Sequence, residues 1–289
     1  MNRMIPLLTI LLLTLCQVRA QEKTHRDQWR LRGPVRSLSV EKITLAEDGK
    51  QQDSTELLDE VSFDERGNLT FQEAYHPGLS RRYANNFVHT YDAQSRITKT
   101  TVYEADGSRN RYELFSYDEQ GRKIKTEWRR GKDQTFSETL YLYNSRGLLA
   151  HEQSRFLNLH WRQSRTDYTY DEKGRRVKTA YFPEDASRST RTTYEYNESA
   201  NPGITTVYDA EENIIVRWNY RYDAQGREME VYVYGPDAAL KWHSTMAYES
   251  DSHGNWIKLK ITREVFENGQ PRIEHQLHRR KITYHQTLK

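Results

Sequence analysis

The pattern Tyr-x-Tyr-Asp-x-x-Gly-Arg returns along this chain about once every 26 residues. A fixed period in that range restricts a chain to repeated supersecondary units that bury their apolar faces against one another. Anchored on the aromatic residue before each turn, the series runs Phe63, Tyr91, Tyr117, Tyr143, Tyr170, Tyr196, Tyr222 and Tyr248. A ninth anchor, Tyr284, stands apart from that spacing and reads as a degenerate last copy.

Each copy reads as a β-hairpin. Asp or Asn opens the turn and can accept hydrogen bonds from the turn's own backbone. Glycine three residues on supplies the positive φ of a type I turn with a bulge, at Gly67, Gly121, Gly147, Gly174, Gly226 and Gly254. Ser95 and Ala200 occupy that slot in two copies, and the Tyr248 copy is irregular because its turn begins late, at Asp251. The arms alternate with period two. Tyr168 and Tyr170 share a face, as do Val177, Thr179 and Tyr181 or Ile257, Leu259 and Ile261, with charged residues between them. Such alternation describes antiparallel strands buried on one side.

Residues 1–20 have the charge, apolar run and Val18-Arg19-Ala20 ending of a secretory signal, so export to the periplasm or cell surface is expected, with no transmembrane segment after it. The only cysteine, Cys16, lies there; bulky Leu15 before it disfavours lipid anchoring. Without Arg3 and Arg19 the 44 basic residues fall to 42 against 41 acids, and the formal charge drops from +3 to +1. That balance gives no electrostatic case for nucleic acid. A mean hydropathy of −1.00 conflicts with 12% aromatic residues, and tyrosine resolves the conflict. It scores as polar yet buries a large ring when its hydroxyl finds a partner.

The motif, repeated in register from about Val61 to Tyr284, resembles the YD repeat of bacterial RHS-type proteins. That resemblance implies an exported protein whose hairpins form a continuous spiral, and it carries an association with carbohydrate binding. It also implies, in the large members, a shell around a toxic domain, which this chain is too short to form. Segment 21–60 reads as N-terminal capping strands and 61–289 as the repeat domain. Roughly sixteen to eighteen strands at about 4.8 Å spacing would make a sheet some 80 Å long, so an all-β, curled or spiralling antiparallel sheet is expected, with the tyrosines inside.

No cofactor is expected. One carboxylate per turn is too few for calcium. His275 and His278 point to opposite faces of a strand and cannot share a metal. Paired carboxylates for glycoside hydrolysis are not positioned by any motif. Exposed aromatics remain as ligand-binding candidates: Trp256, which lies in antiphase to Ile257-Leu259-Ile261, and then Trp128, Trp218 and Trp242. The reading is a non-enzymatic binding or scaffold protein for glycan or a partner protein. The alternatives are an accessory to an RHS-like toxin or secretion system, associating through an open sheet edge, and a glycan hydrolase.

Overall fold

The computed structural model describes residues 24–45, 51–76, 81–104, 106–130, 134–157, 162–197, 201–267 and 270–286. The signal segment with Cys16, the Asp48-Gly49 turn, Ala200 and the Asn268-Gly269 turn lie outside the described residues. Eight hairpins carry the repeated motif. They are β2 (Gln51–Phe63) with β3 (Leu69–His76), β4 (Arg81–Tyr91) with β5 (Ile97–Glu104), β6 (Arg109–Tyr117) with β7 (Lys123–Arg130), and β8 (Gln134–Tyr143) with β9 (Leu149–Phe156). They continue as β10 (Arg162–Tyr170) with β11 (Arg176–Pro183), β12 (Thr190–Tyr196) with β13 (Pro202–Tyr208), β14 (Ile214–Tyr222) with β15 (Glu228–Tyr234), and β16 (Leu240–Ser250) with β17 (Trp256–Glu267).

The sheet closes. β1 (Val35–Leu45) pairs antiparallel with β2 on one side and with the last strand, β18 (Gln270–Tyr284), on the other. Every other strand pairs with its chain neighbours, so the fold is a closed 18-strand antiparallel barrel. The expected curled or spiralling continuous sheet is therefore wrong. Spacing along a chain reports the repeat, whereas closure depends on whether the first strand matches the last. Here β1 and β18 form the ninth hairpin, split across the two ends of the chain: Val35 lies opposite Tyr284, and His285 N–H donates to Pro34 O. The segment expected to cap a stack is part of the ring, and both edges needed for edge-to-edge association are occupied.

Each residue of the repeated motif has a mechanical task. Asp118 Oδ1 accepts from the Arg122 backbone N–H at 2.8 Å, and its Oδ2 from Arg122 Nε at 2.7 Å. Asp92 with Arg96, Asp171 with Arg175 and Asp223 with Arg227 repeat the pair. The guanidinium then lies over the tyrosine of the next hairpin: Arg96 over Tyr117, Arg122 over Tyr143, Arg175 over Tyr196, Arg227 over Tyr248, at 4.4 to 4.7 Å. The tyrosine hydroxyl donates back to a carbonyl of the preceding hairpin, as in Tyr117 to Ile97 O, Tyr143 to Lys123 O, Tyr170 to Leu149 O, Tyr196 to Arg176 O and Tyr222 to Pro202 O.

Where Asn replaces Arg, the joint changes form. Asn68 donates to the Tyr91 hydroxyl, which donates to Asp64 at 3.0 Å. Asn255, Tyr284 and Asp251 make the same triad, so Tyr284 is a full member of the ring.

The expected turn glycines all hold positive φ, between 75° and 88°, and Ser95 takes the same conformation at 63°. At Gly226 a Cβ would also meet Asn201 Nδ2 at 3.2 Å. The Tyr248 irregularity has a simple cause. Ser250 fills the anchor place opposite Trp256, and Tyr248 is the aromatic two residues before it.

After each of these turns the register slips by one residue, as between Ser116–Lys125 and Tyr117–Lys123. A bulge of this kind places two residues opposite one and resets the alternation. It puts Lys123, Arg176, Glu228 and Trp256 on the tyrosine side. That side is the lumen. Glu113, Glu228, Tyr168, Tyr220, His278 and Arg280, each shifted mainly by burial, lie on it.

Tyr170→Phe removes one inter-hairpin hydrogen bond and should cost about 1 kcal/mol in chemical denaturation. Arg175→Leu removes both the ion pair and the ring contact and should cost more, by roughly a further 0.5–2 kcal/mol. Unchanged midpoints in both variants would show that the joints do not hold the ring together.

Candidate functional site

The N-terminal segment lies across the mouth on the tight-turn side. A capping box at Thr24 and Asp27 starts a single helical turn, α1 (His25–Gln28). Arg26 N–H donates to Gly67 O at 2.9 Å. Trp29 and Leu31 pack on the lumenal cluster of Leu38, Val61, Phe63 and Leu69. The charge of Arg30 acts on Tyr222 and Glu228, and Arg32 exchanges two hydrogen bonds with the Asn255 side chain, at 2.7 and 2.8 Å. The segment thus runs from the β2–β3 turn to the β16–β17 turn.

Beneath it, on the side of β3 to β7, is a cavity of about 580 Å³. Thr24, His25 and Gln28 roof it, Leu69, Phe87, Ile97, Phe115 and Tyr117 give it apolar walls, and Arg66, Arg96, Lys123 and Glu113 bring charge. His25 Nδ1 accepts from Leu69 N–H at 3.2 Å, while His89 Nε2 donates to Leu69 O and its Nδ1 bonds Thr100 Oγ1 at 2.9 Å. A ring nitrogen that receives an N–H carries no proton, so these bonds assign His25 Nδ1 as bare and His89 Nε2 as protonated. The two rings stack at 5.6 Å. They fasten the roof to β3.

Burial pushes the Glu113 carboxyl above the ordinary carboxylate range, against the opposing pull of Arg111 and Lys123. Burial, and then the hydrogen bond to Asp64, raises the Tyr91 hydroxyl to about 12. Neither group has an acidic partner across the cavity, whose lining holds Glu113 as its one carboxylate.

The four candidate tryptophans all face the lumen, and none lines the cavity. Trp128 lies opposite Glu113 with Arg111 over its ring at 5.0 Å. Trp242 is covered by Arg263 at 4.8 Å. Trp256 is covered by Arg280 at 3.6 Å and meets Tyr248 edge-on. Trp218 sits between Thr205 and Val233. The expectation that Trp256 faces away from the aliphatic side fails because the bulge at Ile257 breaks the alternation on which it rested.

The sequence reading missed His25, His89, Glu113 and Lys123. Glu113 had left a signal: it lies in phase with Phe115 and Tyr117, an acid on an aromatic face. Lys123 was hidden by the bulge, and the two histidines are joined only by the fold. His275 and His278 do point to opposite faces, His275 bonding Thr262 at 3.1 Å on the outside.

The outer face is charged. Lys125 bridges Glu127 and Glu138, Arg155 reaches Glu138, His151 and Arg165 share Asp167, Arg221 meets Glu230 and Lys258 meets Glu249. A barrel that crosses a membrane needs an apolar outer band about 25 Å tall and tolerates outward Lys or Arg at mid-depth at a cost of roughly 2–4 kcal/mol each. The outward apolar residues here, such as Leu142, Phe182 and Ile273, are scattered, and Phe182 lies under Arg165 at 4.8 Å. The strands present a water-facing belt. No helix among the described residues is long and apolar enough to cross a membrane.

No family model matches the chain, and no curated protein does. Among solved structures, a porin-like protein from Bacteroides uniformis aligns with TM-score 0.45 and 9% identity over 88% of this chain and 98% of that one. A porin-like protein from Bacteroides vulgatus aligns with TM-score 0.33 and 9% identity, over 87% and 98%. A TcdB2-TccC3-Cdc42 structure aligns with TM-score 0.34 and 12% identity over 81% of this chain but 15% of that one. Likenesses this distant carry no argument about function.

His278 supplies a test of lumenal burial. Burial, then Lys42, Arg280 and Arg263, lower it from 6.5 to about 4. The unfolded chain therefore takes the proton first as pH falls, and stability should decline between about pH 6.5 and pH 4, by up to about 3 kcal/mol. His278→Gln should flatten that slope in denaturant titrations at several pH values; an unchanged slope would place the residue in water.

Proposed function

We propose that the protein is an exported, non-enzymatic binding barrel that holds a small molecule in the cavity at its roofed mouth. The observation that supports it is the cavity itself. Its volume lies within the roughly 300–1,000 Å³ usual for small-ligand sites, and apolar walls with a few convergent polar groups are the usual make-up of such sites. A lining with one carboxylate favours binding over the two-carboxylate chemistry of a hydrolase. Membership of the YD-repeat group is part of this reading and rests on the motif, since each of its residues serves an inter-hairpin joint. Sugar stacking on the tryptophans is not favoured, because guanidinium groups lie over three of the four rings.

A thermal-shift screen of residues 21–289 against mono- and disaccharides, small organic acids and amines tests the reading. A ligand at a hundredfold its Kd should stabilise the barrel by about 2.7 kcal/mol, and Phe115→Ala, which alters a cavity wall, should weaken the effect. Stabilisation by no compound in the screen would overturn the small-molecule reading in favour of a protein partner.

A further inference from the structure

We infer that the cavity selects an amphipathic organic acid: a small anion carried on an apolar body. The inference rests on the binding reading above and assigns its ligand class. It starts from the arrangement of the lining, in which charge and apolar surface are unequally shared.

Three permanent cations, Arg66, Arg96 and Lys123, line the cavity against one acid, Glu113. Burial raises that carboxyl above the ordinary range, and Arg111 and Lys123 oppose the shift. Arg66 is exposed on the tight turn after β2, its guanidinium over the Tyr91 ring at 4.5 Å. Arg96 is fixed at the wall by its ion pair with Asp92 at 2.7 Å and by the Tyr117 ring beneath it, so Arg66 and Lys123 carry most of the charge open to a ligand. Lys123 is brought inside by the bulge and stands near the Phe115 and Tyr141 rings, at 5.8 and 5.2 Å. Low-dielectric walls concentrate the field of such a group and favour an anion in the cleft.

The remaining wall is apolar and aromatic: Leu69, Phe87, Ile97, Phe115 and Tyr117. A fully hydrophilic anion such as inorganic phosphate would leave that surface unused, and a cationic or neutral amphiphile would waste the cations. An acid with a short alkyl or aryl body uses both. Its carboxylate would meet Lys123 and the mouth arginines, and its body would lie on Phe87 and Phe115.

The test is isothermal titration of residues 21–289 with octanoate, octanamide and octylamine, which share one chain and differ in head-group charge. Octanoate is expected to bind at least tenfold tighter than octanamide, with octylamine weakest. Lys123→Met should remove most of that preference, lowering octanoate affinity far more than octanamide affinity. Arg66→Gln, at the exposed mouth, should reduce octanoate binding more than octanamide binding. Octanamide or octylamine binding as tightly as octanoate would overturn the acid assignment and leave the binding barrel standing. Binding of none of the three, with the small-molecule screen also empty, would remove the binding reading as well.

Discussion

An arginine shared between two hairpins underlies the architecture. It is held by the aspartate of its own turn and laid on the tyrosine of the next hairpin, as Arg122 is between Asp118 and Tyr143. Backbone ladders alone would join the strands but would set no preferred approach between successive turns. The guanidinium does so because its planar fork matches a carboxylate on one edge while its face stacks on a ring. The tyrosine hydroxyl, returning to a carbonyl of the preceding hairpin, fixes the same interval a second time. At the Tyr117, Tyr143 and Tyr196 joints both constraints are present and set a regular interval between hairpins. A regular interval can bring a last strand back to the first.

That step explains what the sequence could and could not reveal. The hairpins, the turn glycines and the carboxylate's hold on the turn backbone were legible, because they depend on residues within one unit. Closure was not. It depends on Val35 finding Tyr284 and on Asn255 and Asp251 joining Tyr284, contacts between opposite ends of the chain. The departure of Tyr284 from the regular interval looked like degeneration. It instead reflects a longer β18 and a longer β17 before it.

The bulge after each turn was the second hidden element. Period-two reasoning assumes an unbroken pleat, and one extra residue reverses every face beyond it. Trp256 therefore points into the lumen beneath Arg280, and Lys123 and Glu228 line the interior although their neighbours in sequence suggest the outside. The candidate site inherits this difficulty. One of its groups, Glu113, stood out in the sequence as an acid in phase with aromatics. The rest come from the roof at residues 24–28 and from strands that only the closed ring brings together.

The same alternation determines how the barrel meets its surroundings. An 18-strand ring is wide enough that its interior must be filled by something, and in channels that is water. Here the anchor tyrosines and the four candidate tryptophans point inward, and ion pairs such as Lys125–Glu138 and Lys258–Glu249 point outward, where a lipid environment demands an apolar band. At one mouth Trp29 and Leu31 pack on the lumenal cluster and bury part of that surface. Where that filling stops, between α1 and β3 to β7, the polar residues of the lining are left facing open space with apolar walls around them. The placement of Lys123 and Glu113 beside that space is the strongest reason to regard the cavity as a site and not as a gap in packing.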